Sequence, residues 1–354
     1  MLGLGLVQVS LLFKPVRENG NGRRIAFQST IPEFCKPGER EDTMRQPGLY
    51  PGDGGGIESI AMGLSPSLRC VTFNLLHGGL FSGLAGSAQA LGQRLDLAAA
   101  ELRRLNADII GLQEASTSRA RGNVAARLAA RLGYQAVYAP ASSHLFPCER
   151  LNALLARLLN FTEGPALLSR FPIRHWAVEV LPRCGRFTEP RVLLCATVQT
   201  PWGLLPVATT HTSGERPQHR RVAEVLHHHR RALPTVLMGD FNALEDSAAM
   251  ATFTHEAGFY DAFRRVHPTA DGFTSDQVLT TPAPSVSQRI DYILLLPGAE
   301  VPSSSCGSQV ILNTPRRLQN GRDLWPSDHY GVLAEVEVCG AASARSSQRT
   351  APPR

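Results

Sequence analysis

The residues of this chain with the clearest chemical potential are Asp240 and Asn242, at the end of the apolar segment VLMGDFNAL (236–244). In a β-strand, residues i and i+2 point to the same face, so this segment presents a carboxylate and an amide side by side on a rigid element. A carboxylate can hold a cation or a water molecule, and an amide can donate hydrogen bonds to an anion. The same pair also occurs in ordinary turns after strands, so by itself it is compatible with a purely structural turn.

Other apolar segments of the chain also carry polar residues at their ends or within them. Asp and Glu are rarely buried unless they are paired or bound to a metal. Each residue alone could be a strand cap or a hydrogen-bonded core residue, but their number favours one shared site. The candidates are Asn74 in CVTFNLLHGG (70–79), Glu114 in DIIGLQEAS (108–116), His211 in VATTHTSGER (207–216), Asp291 in QRIDYILLL (288–296), and Asp328 with His329 in PSDHYGVLAEVEV (326–338).

The elements that must position these residues follow from hydrophobic periodicity. An apolar face at helical spacing predicts a helix that leads into the strand carrying Glu114; its members are Leu95, Ala98, Ala99, Leu102 and Leu105. Further helices are predicted near 121–132, 216–231 and 246–257, with successive strands over 164–213 and much of 273–338. Strand–helix units mixed with runs of strands predict an α/β fold with two packed sheets and helices outside.

The ordered set of polar residues resembles the endonuclease/exonuclease/phosphatase superfamily of DNase I-like metal-dependent phosphohydrolases. The resemblance covers about residues 67–338 and includes the segment GPALLSRFPI (164–173). It implies a four-layer α/β sandwich, in which two packed mixed β-sheets are flanked by helices. It also implies hydrolysis of a phosphoester bond, which requires charge neutralisation, an activated water and protonation of the leaving oxygen.

The resemblance further implies a Mg²⁺ site, with Mn²⁺ as a substitute. Glu114 is the expected principal metal ligand, with Asn74 beside it and Asp328 near the metal. Carboxylate and amide oxygens are hard ligands that suit this ion.

The remaining candidates are expected to be catalytic. Asp240 would hold or polarise the attacking water, and Asn242 would donate hydrogen bonds to phosphate oxygens. By analogy with the family, His329 is the expected general base and Asp291 orients its ring. His211 is a candidate general acid or phosphate clamp. The two histidines could exchange these roles.

Weaker candidates have structural alternatives. Glu163 resembles the acidic partner of a histidine in pancreatic-type DNases and would orient His211, although a glutamate in a loop is more often solvated. The run His227–His229 is expected at a solvated helix end rather than at a metal. Arg220 and Arg221 could reach a substrate phosphate, but a solvated helical face is favoured.

The substrate is left open by the motifs. The Trp-containing blocks of inositol polyphosphate phosphatases and apurinic-site endonucleases are missing, and Met238 and Ala243 stand where the former carry Trp and Arg. Nucleic acid and a lipid or small-molecule phosphodiester compete as substrates. A catalytically silent binding or scaffold module on the same fold is the alternative function.

Composition sets the remaining expectations. Of 354 residues, 43% are hydrophobic and 19% charged, as in a folded enzyme. Residues 67–338 are expected to form the domain, residues 1–66 a disordered leader, and residues 339–354 a disordered basic tail that carries part of the net charge of +6. No apolar run reaches the roughly 18 residues of a membrane span. Seven scattered cysteines favour a reducing compartment, so we predict a cytoplasmic location. No protein partner is predicted.

Overall fold

The computed structural model describes residues 67–76, 88–119, 121–141, 161–185, 189–301 and 304–338. The predicted leader (1–66) and basic tail (339–354) lie outside the described residues, and both remain predictions. Among the described residues, no helix is long and apolar enough to cross a membrane.

Fifteen strands and six helical segments make up the described part of the chain. The strands are β1 (Ser67–Asn74), β2 (Ile109–Ser118), β3 (Gly122–Asn123), β4 (Gln135–Tyr138), β5 (Thr162–Ser169), β6 (Ile173–Val180), β7 (Val192–Thr200), β8 (Gly203–His211), β9 (Thr235–Asp240), β10 (Tyr260–Asp261), β11 (Asp291–Leu296), β12 (Ser304–Ile311), β13 (Arg316–Arg317), β14 (Asp323–Leu324) and β15 (Gly331–Glu337). The helices are α1 (Ala88–Arg104), α2 (Val124–Leu132), α3 (Arg216–His228), α4 (Ala248–Ala251), a π-helical turn (Thr252–Glu256) and α5 (Ala262–Val266).

Two mixed sheets contain nearly all of the strands. Sheet A has the order β12-β15-β1-β2-β5-β4, with β3 also paired to β2, and sheet B has the order β10-β11-β9-β8-β7-β6. Each sheet has one parallel pair whose connection contains a helix: β1 and β2 are joined through α1, and β8 and β9 through α3. Parallel strands end at the same edge of a sheet, so these two units bring four strand ends into position for a site.

Apolar side chains form three layers between these elements. One cluster lies between the sheets and includes Ile109, Leu194 and Met238. A second joins sheet A to α1 and α2, and a third joins sheet B to α3 and α4. The expected helical face is buried, with Leu95 and Leu102 in the second cluster. Two sheets with helices outside confirm the predicted DNase I-like sandwich.

Helix ends differ from the sequence-based bounds for local reasons. Helix α2 begins at Val124 because the Asn123 side chain accepts a hydrogen bond from the Ala126 amide at 2.9 Å, and it ends at Leu132 because the next residue, Gly133, has a φ of 75°. The helix predicted near 246–257 is divided into α4, capped by Ser247, and the π-helical turn. Helix α3 ends at His228, three residues before the predicted end.

The two sheets approach closely at one point on β2. A Cβ atom added to Gly111 would lie 2.8 Å from the Cβ of Met238 and 2.9 Å from Oγ1 of Thr209, both on sheet B. Nearby, the buried Gln113 side chain accepts a hydrogen bond from Thr72 at 3.3 Å and donates one to Thr209 at 3.0 Å. A polar bridge therefore connects the sheets immediately before Glu114.

Candidate active site

The predicted site residues meet where strands of both sheets end. Asn74, the last residue of β1, is fully buried. Its Nδ2 atom donates to Oε1 of Glu114 at 3.3 Å and to Oδ2 of Asp240 at 3.0 Å. One amide therefore links the expected metal ligand of sheet A to the Asp-Asn pair of sheet B.

Glu114 owes its direction to an irregularity in β2. The pairing of β2 with β5 shifts register between Leu112 and Ala115, and Glu114 itself has φ 51°. A bulge re-aims a side chain, and a positive φ is costly for a residue other than glycine. Such local strain is typical of residues that the surrounding structure holds for a function.

Asn242 also has a left-handed backbone, with φ 48°. Its amide N–H donates to Oδ1 of Asp240 at 3.0 Å, and its side-chain Nδ2 donates to the Thr212 carbonyl at 2.9 Å and contacts Nε2 of His211 at 2.9 Å. Burial lowers the pKa of His211 well below its usual value, and the charges of Arg191 and His329 lower it further. His211 is therefore a neutral histidine whose Nε2 faces a donor.

His329 and Asp291 form a buried pair. Nδ1 of His329 lies 2.9 Å from Oδ2 of Asp291, and the other oxygen of Asp291 has no hydrogen-bond partner among the described residues. Burial opposes the positive charge of His329, but Asp291, Asp240 and Asp328 outweigh it and raise its pKa to about 10. The neighbouring carboxylates thus favour the imidazolium form of His329, and its Nε2 lies 3.5 Å from Ser275 Oγ.

Asp240 lies between these groups. Burial raises its pKa to about 7, and the nearby Asp291 adds to the increase, while His329, Asn74 and the Asn242 amide partly offset it. Its Oδ2 atom is 3.5 Å from Nε2 of His211 and 3.8 Å from Nδ1 of His329. Asp240 is therefore the carboxylate that contacts both histidines.

This arrangement agrees with a comparison of the sequence with known families. Residues 71–329 match the model of the Endonuclease/Exonuclease/phosphatase family. The chain belongs to this family. Its members are hydrolases of the phosphoesterase and nuclease type, so the coarse chemistry expected from the sequence is confirmed.

Solved structures of the family share this fold. A family protein from Bacteroides thetaiotaomicron has a TM-score of 0.58 and 17% identity, covering 77% of this chain and 98% of its own. The mannosyl-6-phosphatase Bt3783 of the same organism has a TM-score of 0.57 and 17% identity, covering 76% and 99%. The human Nocturnin catalytic domain with bound sulfate has a TM-score of 0.53 and 19% identity, covering 77% and 94%. Curated proteins give no match.

Glu114 and Asp328 are two acidic side chains near the end of sheet A, and the charge of Glu114 acts on Asp328. Burial raises the pKa of Asp328, and the negative charge of Glu114 contributes to the increase although His329 opposes it. Two carboxylates that disfavour each other's charge beside an amide are stabilised by a divalent cation. Separately, Asp240, Asp291 and His329 each bring a potential ligand atom within 4.8 Å of the others. That group differs from the predicted ligands Asn74, Glu114 and Asp328, whose role stays a prediction.

Glu163 does not occupy the solvated loop that was its structural alternative. It lies in β5 opposite Ser116, with 8% of its surface exposed. Among the described residues, the polar contacts of the His211 side chain go to Asn242 and Asp240. An orienting role for Glu163 stays a prediction.

The two other weak candidates lie away from the site. Arg221 pairs with Glu179 of β6 through Nε at 3.1 Å and with Glu224 of its own helix at 3.4 Å, and Arg220 is exposed. Helix α3 ends within the histidine run, where Nε2 of His227 contacts the Ala257 carbonyl at 2.8 Å. These contacts favour the structural alternative for both groups.

The sequence analysis did not identify three residues that contact or electrostatically influence the elements of the candidate site. Gln113 forms a hydrogen bond between the two sheets, and the charge of Arg191 lowers the pKa of His211. Arg289, two positions before Asp291, pairs with Asp261. The available signal was a polar side chain inside an otherwise apolar segment, which is visible for Gln113 and Arg289 in the sequence.

Proposed function

We propose that the protein is a Mg²⁺-dependent phosphoesterase that cleaves its substrate with an activated water molecule. The observation that carries this proposal is the hydrogen bond from Asn74 to Asp240, which joins the Glu114 end of sheet A to the Asp240–Asp291–His329 cluster at 3.0 Å. The proposed cation ligands are thus neighbours of the proposed acid–base groups, an arrangement that phosphoester hydrolysis requires.

A cation held by Glu114, Asn74 and Asp328 would neutralise charge on the phosphate. Side chains of the protein would supply the other contacts to the phosphate. The Asn242 side-chain N–H that faces Nε2 of His211 at 2.9 Å would turn to a phosphate oxygen, because the other N–H donates to the Thr212 carbonyl at 2.9 Å. Each of these contacts strengthens as charge grows on the phosphate oxygens in the transition state.

The geometry favours exchanging two of the roles expected from the sequence. A buried carboxylate 2.9 Å from Nδ1 stabilises the His329 imidazolium, so His329 is better suited to donate a proton or clamp a phosphate oxygen than to accept a proton. Asp240 contacts both histidines through Oδ2 and is the carboxylate placed to accept the proton of the attacking water. We therefore propose Asp240 as the base and His329 as the acid or clamp.

Two of the similar structures suggest classes of substrate for this proposal. One of them is called a mannosyl-6-phosphatase, and another holds a sulfate, an anion similar in shape to phosphate. A phosphomonoester is thus a candidate beside the nucleic acid and the lipid or small-molecule phosphodiester. The free cysteines among the described residues fit the proposed cytoplasmic location.

A substrate panel tests the proposal. Purified protein would be assayed on plasmid DNA, bis-p-nitrophenyl phosphate, a sugar phosphate, sphingomyelin and nucleotide esters, with Mg²⁺, with Mn²⁺ and with EDTA. We expect hydrolysis of at least one phosphoester that stops in EDTA. Absence of hydrolysis from the whole panel, together with binding of a phosphoester, would support the silent binding module instead.

A further inference from the structure

Backbone and side-chain contacts join the two segments that carry Asn242 and Asp291. Strands β9 and β11 are antiparallel neighbours in which Asp240 faces Asp291, and the Phe241 amide donates to the Ile290 carbonyl at 2.8 Å. Beyond this point the ladder ends. The chain after Asn242 must therefore be held against the start of β11 by side chains.

Tyr292 supplies one of these contacts. Its buried hydroxyl lies 2.9 Å from the carbonyl of Ala243 and 2.7 Å from the carbonyl of Arg289. A phenol has one proton, so a single donor is shared between the residue after Asn242 and the residue two positions before Asp291. The hydroxyl thus ties both segments to one point.

Arg289 supplies the second contact. Its guanidinium, 4% exposed, forms an ion pair with Glu245, in which Nη1 lies 2.9 Å from Oε2 without a hydrogen bond, and it donates a hydrogen bond to Asp261. It packs over the Tyr292 ring, with 4.6 Å from its central carbon to the ring centroid. Glu245 is held in turn by Arg264 at 2.7 and 2.6 Å. A buried charge is tolerated only when it is paired in this way, so the positions of these groups are strongly constrained.

Each of the two joined segments carries a side chain whose position is tightly constrained. Asn242 holds a left-handed φ of 48°, and its Nδ2 reaches His211 at 2.9 Å. Asp291 must keep its 2.9 Å contact with His329 while its other oxygen has no partner among the described residues. Reactive groups need positions correct to a fraction of an ångström, because misplacement by about 1 Å can cost about a hundredfold in rate.

We propose that Tyr292, Arg289 and Glu245 form a positioning clasp that sets the Asn242 side chain relative to the Asp291–His329 pair. The inference rests on the proposed phosphoesterase function. None of the three residues is placed to touch the reacting phosphate; each acts through the backbone that carries Asn242 or Asp291. A purely structural clasp would instead contribute to stability and leave the rate of each folded molecule unchanged.

The variant Tyr292→Phe tests the clasp because it removes the shared hydroxyl and keeps the ring under Arg289. The matched control is Tyr134→Phe, which removes a hydroxyl that donates to the backbone carbonyl of Ala107 at a distance from the site. With bis-p-nitrophenyl phosphate and Mg²⁺, we expect Tyr292→Phe to lower kcat about tenfold to a hundredfold with KM within about twofold. Tyr134→Phe should keep the wild-type kcat, and thermal unfolding shows whether both remain folded.

A double mutant separates positioning from stability. If Tyr292 acts through Asn242, Tyr292→Phe should lower kcat little further in an Asn242→Ala background, because residues that act as one unit are not additive. Fully multiplicative losses, or a wild-type kcat in Tyr292→Phe, would overturn the clasp. A wild-type protein that hydrolyses no phosphoester of the substrate panel would instead contradict the proposed function.

A readout without substrate completes the test. The side-chain amide signal of Asn242 in a ¹⁵N correlation spectrum, assigned by its loss in Asn242→Ala, should shift or broaden in Tyr292→Phe and stay in place in Tyr134→Phe. An unchanged Asn242 signal in Tyr292→Phe would show that the hydroxyl does not set this side chain, whatever the activity.

Discussion

At the scale of single residues, the site concentrates buried charges that stabilise or oppose one another. Asp240 and Asp291 are adjacent carboxylates, and Nδ1 of His329 lies within 4 Å of both. Glu114 and Asp328 are a second acidic pair, on the other side of Asn74. Such an arrangement costs folding free energy that an apolar core would not, and enzymes retain it because the same charges perform the reaction.

The first prediction concerns metal binding. Glu114→Gln keeps the size of the side chain and removes its charge, so it should abolish Mg²⁺-dependent hydrolysis while the protein remains folded. Mg²⁺ should raise the melting temperature of the wild type, since a ligand that binds the folded state stabilises it, and should leave that of Glu114→Gln unchanged. Activity of the variant at saturating Mg²⁺ would remove Glu114 from the ligand set.

The second prediction concerns the buried pair. His329→Ala and Asp291→Ala should each lower kcat by about a hundredfold or more, the scale of acid–base catalysis. The double variant should lose little more, because the carboxylate acts through the ring at 2.9 Å. Melting temperatures measured on the same proteins provide the control. Destabilised variants with normal rates per folded molecule would mean that these residues only fill the core.

At the scale of elements, the strand ends were predictable from the sequence and the connections between the sheets were not. Asp240 and Asn242 stood out because a polar pair closes an apolar strand. The hydrogen bonds that join sheet A to sheet B, from Asn74 to Asp240 and from Gln113 to Thr209, link residues far apart in the sequence. Periodicity describes one element at a time and carries no information about which element lies opposite.

The bulge at Glu114 and the π-helical turn were missed for a related reason. The register shift between Leu112 and Ala115 depends on how β5 pairs with β2, and that pairing is not encoded in β2 alone. The turn at Thr252–Glu256 continues α4 with a wider hydrogen-bond pattern in a sequence of ordinary helical periodicity. The direction of each candidate side chain depends on the folded backbone, which the family resemblance does not describe.

The third prediction tests the close approach of the sheets. Gly111→Ala places a methyl group 2.8 Å from Met238 Cβ, so the sheets must separate locally, and we expect a loss of about 1–3 kcal/mol in the free energy of unfolding. The control is Gly92→Ala in α1, where a Cβ meets no atom within 4 Å and should stabilise the helix by about 0.5–1 kcal/mol. Chemical denaturation measures both. Equal stability of the two variants would show that the interface between the sheets can adjust.

The fourth prediction uses the buried His219 of α3, which joins this helix to the segment after β8 and to α4. Nε2 lies 2.9 Å from Oγ1 of Thr212, and Nδ1 lies 2.9 Å from the Ala249 carbonyl. Burial lowers its pKa below the ordinary 6.5, although hydrogen bonds to backbone carbonyls partly offset this. The unfolded chain therefore takes up a proton first as pH falls. Stability should be complete above about pH 6.5 and decrease below it.

The measurement compares the melting temperatures of the wild type and His219→Gln between pH 8 and pH 5. Other buried histidines, His211 among them, contribute to the pH dependence of both proteins, so the difference between the two curves isolates His219. The wild type should lose more stability on acidification than the variant. Parallel curves would mean that His219 titrates alike in the folded and unfolded states.

At the scale of the whole molecule, the family match and the described sandwich have nearly the same extent. The match covers residues 71–329, β1 begins at Ser67, and β15 ends at Glu337. Strands β1 and β15 pair along six residues, so the first and last strands described are hydrogen-bonded neighbours in sheet A. All the residues placed in the site lie inside these limits.

The last prediction follows from these limits. A shortened protein that spans residues 65–338 contains β1, β15 and every residue of the three apolar clusters. If the predicted leader and tail contribute no core side chain, the shortened protein should keep the kcat and the melting temperature of the full chain. Thermal unfolding and phosphoesterase assays on both proteins provide the measurement. A shortened protein that melts several degrees lower and is less active than the full chain would show that residues 1–64 or 339–354 pack on the domain.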